Sequence, residues 1–163
     1  IDQTTSTSFA CDLRKWLQIM EAYEQGSFAY HATMPTDALL ALRDAMAEAE
    51  RVGFDQLRAA QLELGTRVRA LLRERGFPSV AAPGFEAPGV VVSYTTDDGI
   101  QSAKKFTEVG IQAAAGVPLQ CGEPAGFKTF RLGLFGLDKW ADIDATVERL
   151  AHALDQITAT AAA

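Results

Sequence analysis

The hydrophobic rhythm of the chain changes at Gly76, and that change limits the possible folds more than any other feature. Before it, apolar residues recur at helical spacing. Leu39, Leu42, Met46 and Ala49 form one stripe, and Leu57, Leu64, Val68, Leu71 and Leu72 form a second. Gly53 lies between the stripes and marks a break or kink. Beyond Gly76 the texture becomes β-branched: "VVVSYTT", from Val90 to Thr96, reads as a strand. Ile100, Ala103 and Phe106 predict a short helix, "IQAAAG" a second strand and "TFRLGLF" a third. Trp140, Ile143, Val147, Leu150, Leu154 and Ile157 predict an amphipathic final helix. This order predicts an α+β fold in two layers, with a small, mainly antiparallel sheet carrying helices on one face.

Upstream, "DLRKWLQIMEAYE" opens on Asp12 as a good N-cap. It sets Leu13, Trp16, Leu17 and Met20 at helical spacing before Gly26. The connection that follows, "GSFAYHATMPTDAL", has no periodicity, and Pro35 turns the residue before it away from helix. With 163 residues, 48% hydrophobic and 22% charged, the chain has the composition of one globular domain and length enough for a core without disulfides.

Charge and cysteine usage exclude several classes. A formal net charge of −6 argues against a nucleic-acid partner. Arg43, Arg51, Arg58, Arg67, Arg69 and Arg73 are interleaved with acids and read as a solvated face. Cys11 and Cys121 lie far apart without metal spacing and suit free thiols in a reducing, cytoplasmic setting. Two histidines, His31 and His152, are too few for a zinc site without cysteine help. No apolar run reaches membrane-spanning length and no signal peptide is visible. The chain begins at Ile1 without an initiator methionine, so it is expected to be part of a longer protein.

One residue conflicts with its surroundings. "KTFRLGLFG" places Arg131 inside a run that otherwise reads as a buried strand. Alternation puts Phe130, Leu132 and Leu134 on one face and Thr129, Arg131 and Gly133 on the other. Gly133 and Gly136 leave space beside the arginine for a ligand or another domain. A planar guanidinium there suits a carboxylate held by two parallel hydrogen bonds; the plainer reading is a rim arginine that reaches water. A second loop, "YHATMP", groups Tyr30, His31 and Thr33 as hydrogen-bonding groups able to meet one anion such as a phosphate. Its plainer reading is that Tyr30 packs and Thr33 or Thr36 caps the next helix.

Phe9, Asp12, Leu13 and Trp16 in "FACDLRKW", then "YHATMPTDALLALRDAM", then "FRLGLFG" before an amphipathic helix, resemble class V aminotransferases. These are fold-type-I enzymes that use pyridoxal 5'-phosphate, and the branch most similar is the alanine–glyoxylate and serine–pyruvate type. The resemblance runs from about Phe9 to Ile157. It implies that Arg131 binds the substrate α-carboxylate, and that Tyr30 and Thr33 contact the cofactor phosphate across the interface of a homodimer. It implies a connecting, cofactor-loop segment over residues 1–36 and a C-terminal small domain over 37–163. His31 matches the motif as well and is assigned a packing role.

The resemblance also implies a lysine bonded to the cofactor and an acid facing its ring nitrogen, both upstream of the matched segment. Lys15, Lys104, Lys105, Lys128 and Lys139 lie in no such context. No catalytic residue and no metal ligand is therefore assigned. The chain is expected to be the C-terminal part of an enzyme that moves an amino group from an amino acid, such as alanine or serine, to a 2-oxo acid, such as glyoxylate or pyruvate. By itself it is expected to be inactive. The alternatives are a stand-alone α+β module that binds small acids or a protein, and a related lyase or desulfurase using Cys121.

Overall fold

The computed structural model describes residues 3, 5–31, 33 and 35–159. Among them are seven helices and three strands: α1 (Leu13–Glu24), α2 (Thr36–Val52), α3 (Phe54–Glu74), β1 (Val90–Tyr94), α4 (Asp98–Gln101), α5 (Lys104–Glu108), β2 (Ala114–Ala115), β3 (Thr129–Gly133), α6 (Leu137–Ala141) and α7 (Ile143–Ala159). The chain divides into two compact units, Ile1–Met46 and Ala47–Ala163.

In the first unit the Asp12 side chain caps α1 by accepting from the Lys15 amide at 3.1 Å. Leu13, Leu17 and Met20 are exposed, and the buried residue of this helix is Ile19, which lies outside the expected stripe. α2 ends where Gly53 takes φ +98°, a conformation open to glycine, so that one residue closes α2 and starts α3.

The second unit holds the core. α3 buries Leu64, Val68, Leu71 and Leu72 against Val91, Phe130 and Leu132 of the sheet and Leu150, Leu154 and Ile157 of α7. The strand order is β1–β3–β2, antiparallel throughout. Val91 faces Leu132 and Ser93 faces Phe130 on the core side, while Val92 faces Arg131 on the other. Residues 78–80 pair with the outer edge of β1, since Tyr94 N donates to Pro78 O and Val80 N to Val92 O, each at 2.9 Å. β2 is shorter than "IQAAAG" suggested, with two residues in register against Arg131 and Phe130.

Three further expectations change. Arg69 is not on a solvated face: it is 8% exposed, and its guanidinium donates to the carbonyls of Ala87 at 2.5 Å, Val90 at 3.1 Å and Gly65 at 3.3 Å. Burial draws its pKa down, and Nε has no partner among the described residues. The three carbonyls offset the loss of water. The final helix is two helices, because Asp142 caps α7 by accepting from the Ala145 amide at 2.9 Å, leaving Trp140 on the short α6. Thr129 is 1% exposed although it shares the Arg131 face, because Gly116 lies directly against it.

Among the described residues no helix is long and apolar enough to cross a membrane. Leu150 sits at the centre of the α7 contact and is 8% exposed. Leu150→Ala is expected to lower the unfolding free energy by about 2–5 kcal/mol, measured by urea titration.

Candidate functional site

β3 carries Arg131 outward because Phe130 and Leu132 are both held inward. The Phe130 ring packs edge-on to Phe77 at 5.4 Å and tilted against Phe106 at 5.2 Å, which fixes the strand's rotation. Arg131 is partly exposed, with Val92 and Ala114 as its same-face neighbours on β1 and β2. Its Nε donates to the Ala115 carbonyl at 3.0 Å. Among the described residues no carboxylate forms an ion pair with it. A cation presented this way can accept a carboxylate.

The loop between β2 and β3 is organised by Glu123. Its carboxylate accepts from the amides of Leu119, Gln120 (2.7 Å) and Cys121 (2.8 Å). Its own backbone N–H first, and then those of Cys121, Leu119 and Gln120, hold the Glu123 carboxyl below the usual range. Cys121 is exposed and free, as is Cys11.

The lysines near the sheet are engaged. Lys105 meets Asp97 at 2.6 Å and Lys128 meets Asp98 at 2.5 Å. Lys104 lies 3.9 Å from Glu108, and Lys139 3.5 Å from Asp138. Lys15 is exposed on α1. No group of acids, histidines and cysteines among the described residues could hold a metal ion.

In the first unit, Tyr30 is 80% exposed and Thr33 is exposed. His31 packs: its ring lies 4.2 Å from Phe9 and 5.3 Å from Trp16, and Nε2 is 3.2 Å from the Phe9 carbonyl oxygen. Tyr30 and Thr33 thus belong to one compact unit and Arg131 to the other.

The second unit also has cavities. One of about 610 Å³ is lined by Phe77, Tyr94, Phe127, Lys128 and Ile157; another of about 660 Å³ is lined by Gln112, Ala114, Lys139, Arg149 and Leu150. Arg131 lines neither. Arg131 is singled out by its outward charge on the sheet rather than by a cavity. Sequence reasoning missed the Ala115 carbonyl and Gly116. The small residues of "IQAAAG" were the available signal, read only as strand.

The class of fold is that of part of an aminotransferase. The alanine–glyoxylate aminotransferase of Nostoc sp. superimposes with a TM-score of 0.75 at 19% identity, over 95% of this chain and 39% of its own. The ureidoglycine–glyoxylate aminotransferase of Bacillus subtilis gives 0.72 at 18% identity, over 96% and 38%. By sequence, the chain is 29% identical over 160 residues to 2-aminoethylphosphonate–pyruvate transaminase 2 of Polaromonas sp., across 97% of this chain and 41% of that protein. No family profile matches. The chain therefore spans about two fifths of the length of the curated relative it matches.

The best-defined ion pair tests the local electrostatics. Lys105 first, and then the Ile100 amide, hold Asp97 below its ordinary value of 3.8. A depressed carboxylate contributes stability above its unfolded value and loses that contribution as pH falls through the lower folded one. Asp97→Asn is therefore expected to melt below the parent near neutral pH. The two melting curves should converge as pH falls below about 3.8, seen in thermal scans across pH.

Proposed function

We propose that the chain is the C-terminal part of a class V, pyridoxal-phosphate-dependent aminotransferase that works as a homodimer in the cytoplasm. The intact protein moves an amino group between an amino acid, such as alanine or serine, and a 2-oxo acid, such as glyoxylate or pyruvate. One observation carries this reading: solved aminotransferases align over 95% and 96% of the chain while it covers only 39% and 38% of them. Two exposed cysteines outside any disulfide suit a reducing compartment.

Within that reading residues 1–36 form the connecting, cofactor-loop segment and 37–163 the small domain. Arg131 takes the substrate carboxylate, and its place on the open face of β3 supports that role. Tyr30 and Thr33 reach the cofactor phosphate of the neighbouring subunit, a role suited to their exposure. Pyridoxal phosphate, bound through a lysine, supplies the electron sink for the transfer. The described residues do not fit that attachment, because four of the lysines are in ion pairs and Lys15 stands in water. An attachment lysine is an amine made reactive by desolvation or by a neighbouring cation. Within this reading the attachment belongs to the remainder of the protein, and this chain contributes binding and orientation.

The full-length parent protein is expected to show bound-cofactor absorbance that changes on addition of alanine or serine. In that protein Arg131→Lys keeps the charge but loses the planar fork. It is expected to weaken apparent affinity for amino and oxo acids by about ten- to a hundredfold, equivalent to about 1.5–3 kcal/mol. Arg131→Ala is expected to cost more, with cofactor absorbance unchanged in both. Parent-like affinity in the two variants would return Arg131 to the status of a rim residue. The 163-residue chain alone, treated with pyridoxal phosphate and borohydride, is expected to yield no single stoichiometrically modified lysine.

A further inference from the structure

Arg131 is held by the main chain, and the hold restricts how its guanidinium can be used. A guanidinium presents a side edge, formed by Nε and one Nη, and an end edge, formed by the two Nη groups. Here Nε already donates to the Ala115 carbonyl at 3.0 Å, so the side edge is engaged. The end edge keeps both donors, since no partner for either Nη lies among the described residues.

The acceptor is itself pinned. Ala115 pairs with Phe130 across the ladder, and the next amide, Gly116 N, donates to Gln101 O at 2.9 Å. Gly116 is held against β3 so closely that a Cβ there would lie 1.9 Å from the Thr129 carbonyl oxygen and 2.6 Å from its carbon. Thr129 is 1% exposed and has no room to retreat. The φ of Gly116 is not in the left-handed region, so contact distance, not backbone freedom, demands glycine here. Any side chain at 116 moves the Ala115–Gly116 peptide away from β3, and the acceptor of Arg131 moves with it.

We propose that the Ala115 carbonyl is the positioning group for Arg131, that Gly116 keeps it in place, and that an incoming carboxylate is consequently taken end-on by the two Nη groups. The inference rests on the proposed role of Arg131 in binding substrate carboxylate. It adds Gly116 as a positioning residue and the end edge as the recognition edge. Ala114 enters as the neighbour of Arg131 across the ladder. It is exposed, lies in register with Arg131 on the same face, and is small enough to leave the approach open.

The test uses the full-length parent enzyme and propionate, an unreactive monocarboxylate, as a competitive inhibitor. Gly116→Ala is expected to raise the KM of the amino acid, the KM of the oxo acid and the propionate inhibition constant together. The factor should be on the order of tenfold or more, with bound cofactor per subunit unchanged. A merely structural lesion lowers kcat in proportion to lost cofactor and leaves those constants where they were; that outcome overturns the proposal. Should Gly116→Ala fail to fold, Ala114→Glu decides, because its exposed position leaves the core untouched. Its carboxylate would compete for the end edge and is expected to raise the propionate constant on the same order. An unchanged constant overturns the proposal. Arg131→Ala separates the two layers of the argument. If it raises the propionate constant while the other variants do not, the positioning idea falls and the carboxylate role stands. If it leaves the constant at the parent value, both fall. A propionate complex with Nε released from Ala115 and engaged side-on would likewise overturn the inference.

Discussion

The antiparallel ladder between β1 and β3 is the constraint on which the rest of this structure depends. Its pairing of Val91 with Leu132 and of Ser93 with Phe130 directs one face of β3 to the helices. The residue between Phe130 and Leu132 is then directed the other way. A slip of one residue would reverse every side chain, burying a guanidinium and exposing a phenyl ring. The cost of an unpaired buried charge makes that register inaccessible. The packing of Phe77 and Phe106 on Phe130 thus also determines where Arg131 points.

Two arginines in the second unit show how surroundings decide what one side chain does. Arg69 lies on the face of α3 that meets the 87–90 segment. Gly65 comes so close there that a Cβ would lie 2.7 Å from the Pro88 carbonyl oxygen. The guanidinium fills the same seam and collects three carbonyls, so it fastens the approach to β1 onto α3. Arg131 is tied by one carbonyl and keeps its remaining donors. The first is a structural fastener whose two Nη groups are taken up from within. The second retains capacity for something that is not part of the core.

The likeness to aminotransferases is strong in shape and weak in sequence, with TM-scores of 0.75 and 0.72 at 19% and 18% identity. A shared fold alone does not carry an activity. The proposal that the chain is part of such an enzyme rests on the coverage of those alignments, and the role proposed within it for Arg131 rests on the outward guanidinium of β3.

The α+β class, the break at Gly53, the cap at Asp12 and the outward direction of Arg131 were legible in the sequence. They arise from local periodicity and from residues whose backbone preferences act over a few positions. The same reasoning misassigned Arg69, because charge interleaved with acids looks solvated until another segment folds over it. It merged α6 with α7, because an apolar stripe does not register that Asp142 will accept a backbone hydrogen bond and start a new helix. It read "IQAAAG" only as strand, since the reason for its small residues lies in Thr129, far along the chain. The sequence by itself determined which faces are apolar and which residue would stand out from them. Only the tertiary structure decided which carbonyls those arginines would meet, because hydrogen-bond acceptors on the main chain carry no side-chain signature and are assembled by contacts between distant segments.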